Sequence, residues 1–150
     1  DYEVIKNLDV RMAYRFYDIK TTYGETILQK QLTAPHRAFI NLGYETEKKW
    51  NFDFTLNWIG EQRIVSTQSN PQAYRRADKS PSYFLVNAQI RKSWDDKFTV
   101  YLGVENLFNF RMDNPIIDSE NPFGNNFDSS LVWAPIFGRN IYVGIKYSIK

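Results

Sequence analysis

Between Trp50 and Trp58 every second residue is large and apolar: Trp50, Phe52, Phe54, Leu56 and Trp58 are separated by Asn51, Asp53, Thr55 and Asn57. A period of two sends the two sets to opposite sides of a β-strand, so the stretch has one oily and one polar face. The pattern recurs along the chain. Leu8, Val10, Met12, Tyr14 and Phe16 alternate with Asp9, Arg11, Ala13, Arg15 and Tyr17. Ala38, Ile40, Leu42 and Tyr44 alternate with Arg37, Phe39, Asn41, Gly43 and Glu45, with Phe39 as the one large apolar residue on the polar side. Phe84, Val86, Ala88 and Ile90 form a fourth stripe; Phe98, Val100, Leu102 and Val104 a fifth; Ile141, Val143, Ile145, Tyr147 and Ile149 a sixth.

The segments between these stripes are unequal. Thr21 to Pro35, Gly60 to Pro81 and Asn106 to Gly138 are long, aperiodic and punctuated by proline or glycine. Thr46 to Lys49 and Trp94 to Lys97, by contrast, are short enough to close antiparallel hairpins. Long and short connections alternate strictly, so every tight turn falls at one end of the sheet and every long loop at the other. A soluble sandwich has no physical reason for that asymmetry. An outer-membrane barrel does, with short periplasmic turns and long outer loops.

The reading that follows is all-β: an antiparallel up-and-down sheet of about six strands forming part of a transmembrane β-barrel. Six strands are too few to close such a barrel, the smallest having about eight, so the sheet is expected to be completed by residues outside this chain. Phe52, Phe54, Leu56, Val100, Leu102, Ile141, Val143 and Ile145 are the expected lipid-facing side chains. Trp50 and Trp58 stand about 20 Å apart along a tilted strand, close to the height of a lipid-facing band, and are the expected girdle residues.

Composition sharpens this picture. Aromatic residues make up 17% of the chain, which suits a barrel with aromatic girdles. No apolar run approaches the roughly 18 residues of a membrane-spanning helix. The net charge of +2 is spread over interspersed cations and anions, which argues against nucleic acid as a partner. Cysteine is absent, so disulfide frameworks and thiolate metal sites are excluded.

Candidate chemistry is sparse. His36 is the sole histidine and has no nucleophile or orienting carboxylate identifiable beside it, so no catalytic residue is assigned and no enzyme activity or cofactor is expected. Asp113, Asp118, Glu120 and Asp128 match no calcium-loop spacing, and turn chemistry is the simpler reading. Loops on a rigid scaffold commonly carry binding, which makes Tyr74, Arg75, Arg76, Arg111, Phe123, Phe127 and Trp133 the candidate ligand contacts. For Phe123 and Trp133 the simpler expectation is that they pack the loop onto the rim.

A set of motifs around the last two strands narrows the field: Gly103-Val104-Glu105-Asn106-Leu107-Phe108-Asn109, Asn114-Pro115-Ile116-Ile117, Pro122-Phe123-Gly124, Phe127-Asp128, Trp133-Ala134-Pro135-Ile136, Gly138-Arg139 and Tyr142-Val143-Gly144-Ile145. This ordered series, with Pro35-His36-Arg37-Ala38 before Asn41-Leu42-Gly43-Tyr44, resembles the carboxyl-terminal end of TonB-dependent outer-membrane receptors. The resemblance implies a large barrel of the roughly 22-stranded type with a plug inside it. Residues 1–150 would be its carboxyl-terminal segment, with the plug and earlier strands lying upstream. It further implies a nutrient ligand at the cell surface, TonB as a partner through the upstream region, outer-membrane lipid around the barrel, and location in a Gram-negative outer membrane. The ending Ser148-Ile149-Lys150 departs from the aromatic residue with which family members usually close.

Two other readings remain at this point. A soluble lipocalin-like barrel would turn the apolar faces inward, bringing Leu42, Phe54 and Val100 into one dry core. A non-transporting adhesion or scaffold barrel would keep the membrane but lack a plug. Expressed alone, the segment is expected to self-associate through its open strand edges.

Overall fold

The computed structural model describes residues 2–95 and 97–149, with side chains described from residue 6 onward. Asp96 of the second predicted turn and the terminal Lys150 lie outside the described residues. The described residues form nine strands: β1 Tyr2–Ile5, β2 Leu8–Phe16, β3 Lys20–Tyr23, β4 Thr26–Gln29, β5 His36–Glu45, β6 Trp50–Ile59, β7 Tyr83–Trp94, β8 Phe98–Glu105 and β9 Asn140–Tyr147. Seven of them make one antiparallel sheet in the order β1-β2-β5-β6-β7-β8-β9, and β3-β4 is a separate hairpin. All six predicted strands are present as neighbours in sequence order. The short β1 and the β3-β4 hairpin inside the first long connection are additions to the predicted set.

Register confirms the two-faced reading of each strand. Leu8, Tyr44, Phe52, Ile90, Leu102 and Val143 lie in one cross-strand row, and Val10, Leu42, Phe54, Ala88, Val104 and Ile141 lie in the next. Met12, Ile40, Leu56 and Val86 form a third row of the same face, and Tyr14, Ala38, Trp58 and Phe84 a fourth. Leu42 and Phe54 are each 37% exposed, Met12 and Val143 each 72%. These side chains do not converge on a dry core; they spread over an open apolar surface far larger than soluble domains expose.

The opposite face is hydrogen-bonded within itself. Asn41 Nδ2 donates to Asp53 Oδ2 at 3.0 Å and to Thr55 Oγ1 at 2.9 Å. On β8 and β9, Gly103 pairs with Tyr142 and Tyr101 with Gly144, so each tyrosine ring covers the glycine opposite it. Tyr142 also donates its hydroxyl to Gln89 Oε1 at 3.0 Å. A bare glycine in a strand leaves a groove, and the two rings fill both grooves from opposite strands.

The connections obey the predicted asymmetry. Turns at Lys6-Asn7, at Thr46–Lys49 and at Asp95 share one end, where the Glu45 N–H donates to the Asn7 carbonyl at 3.0 Å and the Ser93 N–H to the Lys49 carbonyl at 3.2 Å. Asn7, Lys49 and Asp95 take left-handed φ values of 68°, 60° and 49°, which reverse the chain tightly. At this end Lys92 projects from the apolar face, with Nζ 5.4 Å from the Trp50 ring and 5.7 Å from that of Trp94, and donates to the Lys48 carbonyl. Strand β7 runs on to Trp94, further than its alternation alone indicated.

Candidate functional site at the long-loop end

The three long loops do not hang free. Loop 60–82 is tied to itself by a bridge between Arg63 and Lys79 and by bonds between Gln62 and Ser80. Loop 106–139 is tied by a bridge between Ile117 and Asp128. The buried cluster of the described residues lies here rather than in the sheet: Ile64, Ile117 and Leu131, with Tyr74 and Trp133 packed against them. Ile117 is 1% exposed. Gln62 Nε2 donates to the Trp133 carbonyl at 2.9 Å, and Arg76 Nη2 to the Asn114 carbonyl at 3.4 Å, so the second and third loops are joined. The first loop joins through the Leu32 N–H, which donates to the Arg63 carbonyl at 2.9 Å.

The Glu105-Asn106-Leu107-Phe108-Asn109 motif is the hinge between sheet and cap. Asn106 and Asn109 take φ values of 52° and 57°, a left-handed geometry that asparagine tolerates well. Asn106 holds both backbone groups of Phe110, accepting from its N–H at 2.9 Å and donating to its carbonyl at 2.7 Å. The Leu107 N–H extends the β7 ladder by donating to the Val86 carbonyl at 2.7 Å. Asn109 Oδ1 accepts the Arg139 N–H at 2.9 Å and sits where a Cβ on residue 138 would go, which explains Gly138-Arg139. Phe108 is exposed.

The loop residues picked out from sequence are sorted by this packing. Tyr74 and Trp133 belong to the cap's interior, and Arg76 spans two loops. A carboxylate beside Tyr74, that of Asp118, raises its phenol above the ordinary value, by charge first and by burial and hydrogen bonding second. Arg75 is exposed and donates to the Asn70 carbonyl at 2.9 Å. Arg111 is exposed and Phe127 half-buried. Phe123 is 99% exposed, so the expectation that it packs the loop onto the rim is corrected: Trp133 does that, Phe123 does not. Asp128 does turn chemistry, accepting from the Ser130 N–H and hydroxyl at 2.7 Å each.

Below the cap, the polar face of the sheet becomes aromatic and cationic. Tyr83 stacks on Phe110 with ring centroids 5.0 Å apart, lies 5.7 Å from Trp133, and donates its hydroxyl to the Trp133 carbonyl at 3.3 Å. Register places Arg15, Arg37, Ile59 and Tyr83 in one row and Ala13, Phe39, Asn57 and Leu85 in the row beneath. These eight residues, with Tyr14, Ala38 and Trp58 of the intervening row, line a concavity of about 510 Å³. Sequence reasoning missed Arg15, Arg37, Asn57 and Tyr83 as site residues; Phe39, the apolar residue on a polar face, was the one sequence signal for it. Among the described residues no group of three His, Cys, Asp or Glu side chains is placed to hold a metal ion.

The family described as TonB dependent receptor-like, beta-barrel matches residues 2–107, more than half of the chain. The chain belongs to the TonB-dependent receptor β-barrel family. Its members are placed in the Gram-negative outer membrane, and this chain with them. Among solved structures, the ferric-catecholate import receptor Fiu from E. coli K12, in its closed form, superposes with a TM-score of 0.66 at 13% identity. That match covers 97% of this chain and 19% of the Fiu chain, so the sheet corresponds to about a fifth of that receptor's length. No curated protein matches the sequence.

Proposed function

We propose that this chain is the carboxyl-terminal part of an outer-membrane receptor that binds a nutrient at the cell surface and imports it with energy supplied through TonB. The observation that carries the reading is the joint polarity of the sheet. One face is continuously apolar across six strands, the other is polar and hydrogen-bonded, and a loop cap with its own core stands at one end only. A lipid-facing outer wall, a polar lumen around a plug and an outward ligand-binding mouth account for all three. On this reading Trp50 and Trp58 mark the inner and outer girdles.

The named neighbour imports a ferric catecholate, which makes iron chelates the first ligands to try. In cells carrying the full-length gene as the sole receptor, uptake of labelled ferric tris-catecholate is expected, together with its loss on deletion of TonB. Fractionation of the full-length protein into the soluble phase, or a panel of nutrients whose uptake is indifferent to TonB, would sink the proposal.

A further inference from the structure

We propose that Lys92, with Trp50 and Trp94, forms a headgroup site on the outer wall at the short-turn end, taking the phosphodiester of an anionic glycerophospholipid from the inner leaflet. The proposal rests on the reading of the apolar face as lipid-facing with its tight turns toward the periplasm, and it names the lipid class which that face selects.

Among the described residues Lys92 is the one charged residue on the apolar face of β6, β7, β8 and β9. It pairs on both sides, with Trp50 of β6 and Val100 of β8, so its surroundings on this face belong to the chain itself and not to the rest of a barrel. A charge on a lipid-facing wall is disfavoured by depth, least so at the interface. Lys92 stands two residues before Trp94 on β7, roughly 7 Å at about 3.3 Å per residue, a span that a lysine stem covers along an apolar surface. The ammonium lies at the turn end, where it donates to the Lys48 carbonyl. Its Nζ is 5.4 Å from the Trp50 ring and 5.7 Å from the Trp94 ring, both within cation–π reach. The stem is half-buried, while the two indoles are exposed.

This arrangement holds the charge in place without neutralising it. A carbonyl and two rings orient an ammonium but leave it positive, and of its three protons the carbonyl takes one. The others can meet phosphate oxygens at the level where headgroups lie. Phe98, 5.5 Å from Trp94, extends the aromatic platform, and Ile90 and Leu102 continue the face toward the membrane interior as a bed for acyl chains. The turns on either side carry charges of both signs, Glu47-Lys48-Lys49 on one and Asp95-Asp96-Lys97 on the other, so selection falls to Lys92 itself. A lysine near the surface attracts anionic lipid, whereas a zwitterionic headgroup brings a cation of its own.

The test uses the full-length receptor with p-benzoylphenylalanine in place of Phe98, reconstituted in vesicles of equal phosphatidylglycerol and phosphatidylcholine with the same acyl chains. After irradiation, lipid adducts on residue 98 are identified by mass spectrometry. Phosphatidylglycerol adducts are expected to exceed phosphatidylcholine adducts at least threefold. Lys92→Gln is expected to bring the ratio to parity and Lys92→Arg to keep it, which a merely structural lysine would not require. Excess glycerophosphoglycerol, the headgroup without chains, is expected to leave the ratio unchanged; if it abolishes the preference, the site takes a soluble anion and the lipid proposal is overturned. Adducts of both lipids without preference, or a preference that survives Lys92→Gln, overturn the site and leave the membrane reading standing. No lipid adduct at residue 98 in a reconstituted receptor faults the membrane reading together with the site.

Discussion

Replacing Gly103 with alanine probes one of the two tight glycine–tyrosine contacts between β8 and β9. A Cβ built on Gly103 would lie 2.2 Å from Cζ of Tyr142 and 2.3 Å from its hydroxyl oxygen, against an optimal carbon separation of about 3.5–4.0 Å. The ring must leave, and it is held by a 3.0 Å bond to Gln89 and flanked by Tyr101 at 6.2 Å. Overpacking costs roughly 1–3 kcal/mol, and the lost hydrogen bond about 0.5–1.5 kcal/mol. Against these stands a gain of about 0.4–1 kcal/mol from a stiffer unfolded chain. The net expectation is a loss of about 2 kcal/mol. Gly43 is the internal control, because its added Cβ meets only Asp9 Cβ at 3.9 Å; Gly43→Ala is expected to be neutral or to stabilise by up to about 1 kcal/mol. The assay is reversible denaturant unfolding of the full-length receptor in lipid vesicles, followed by tryptophan fluorescence. In a Tyr142→Ala background the obstructing ring is gone, so Gly103→Ala should cost almost nothing, and the double-mutant cycle should show a coupling of about 2 kcal/mol. Equal effects at Gly103 and Gly43, or strict additivity with Tyr142→Ala, would refute the reasoning.

Other expectations test other parts of the molecule. Phe54→Arg places a charge in the middle of the apolar face and should cost about 2–4 kcal/mol in the same unfolding assay if that face meets the bilayer midplane; an effect within error would mean the face is turned inward. Tyr74 keeps its proton to higher pH than a free tyrosine because of Asp118. Its neutral form therefore favours the folded cap fully below about pH 10, and that contribution is lost as pH rises through the elevated value. Absorbance titration at 295 nm should show a late phenol component in the wild type, part of which moves earlier in Asp118→Asn. Trp133→Ala removes a ring from the cap's interior and should open loop 106–139 to limited proteolysis while the barrel keeps its unfolding midpoint. The 150-residue segment alone should associate through the free edges of its outer strands; a clean monomer in sedimentation would argue against that.

What could be read from sequence followed from period two. The stripes at Trp50–Trp58, Leu8–Phe16 and Ile141–Tyr147 are long enough for alternation to be unambiguous, and they pair without a register shift with β5 and β7, with β5, and with β8 respectively. Strand β1 has four residues, too few to display a period, and β3 and β4 are as short, with Ile27 and Leu28 adjacent rather than alternating, so the hairpin's one sequence mark was Gly24, in the left-handed region at φ 60°. The site was less legible because its parts meet only through register. Arg15 and Arg37 are separated by a long loop and become partners only once β2 and β5 are aligned. Ile64, Ile117 and Leu131 stand in short apolar runs, Ile64-Val65, Ile116-Ile117 and Leu131-Val132-Trp133, within aperiodic loops, and no local pattern announces that they share a core.

That core has a bearing on how such receptors diverge. Side chains that fix the cap, from Ile64 to Leu131, are not those that fix the sheet, and the two sets meet at a seam of Asn106, Asn109 and Gly138 and at the Tyr83 contacts with Phe110 and Trp133. Substitutions that reshape the mouth need not disturb strand pairing, while the strands answer only to the membrane and to one another. The seam should therefore change slowest, and the cap should behave as an exchangeable cassette, able to take new surfaces onto an old wall without the wall being rebuilt.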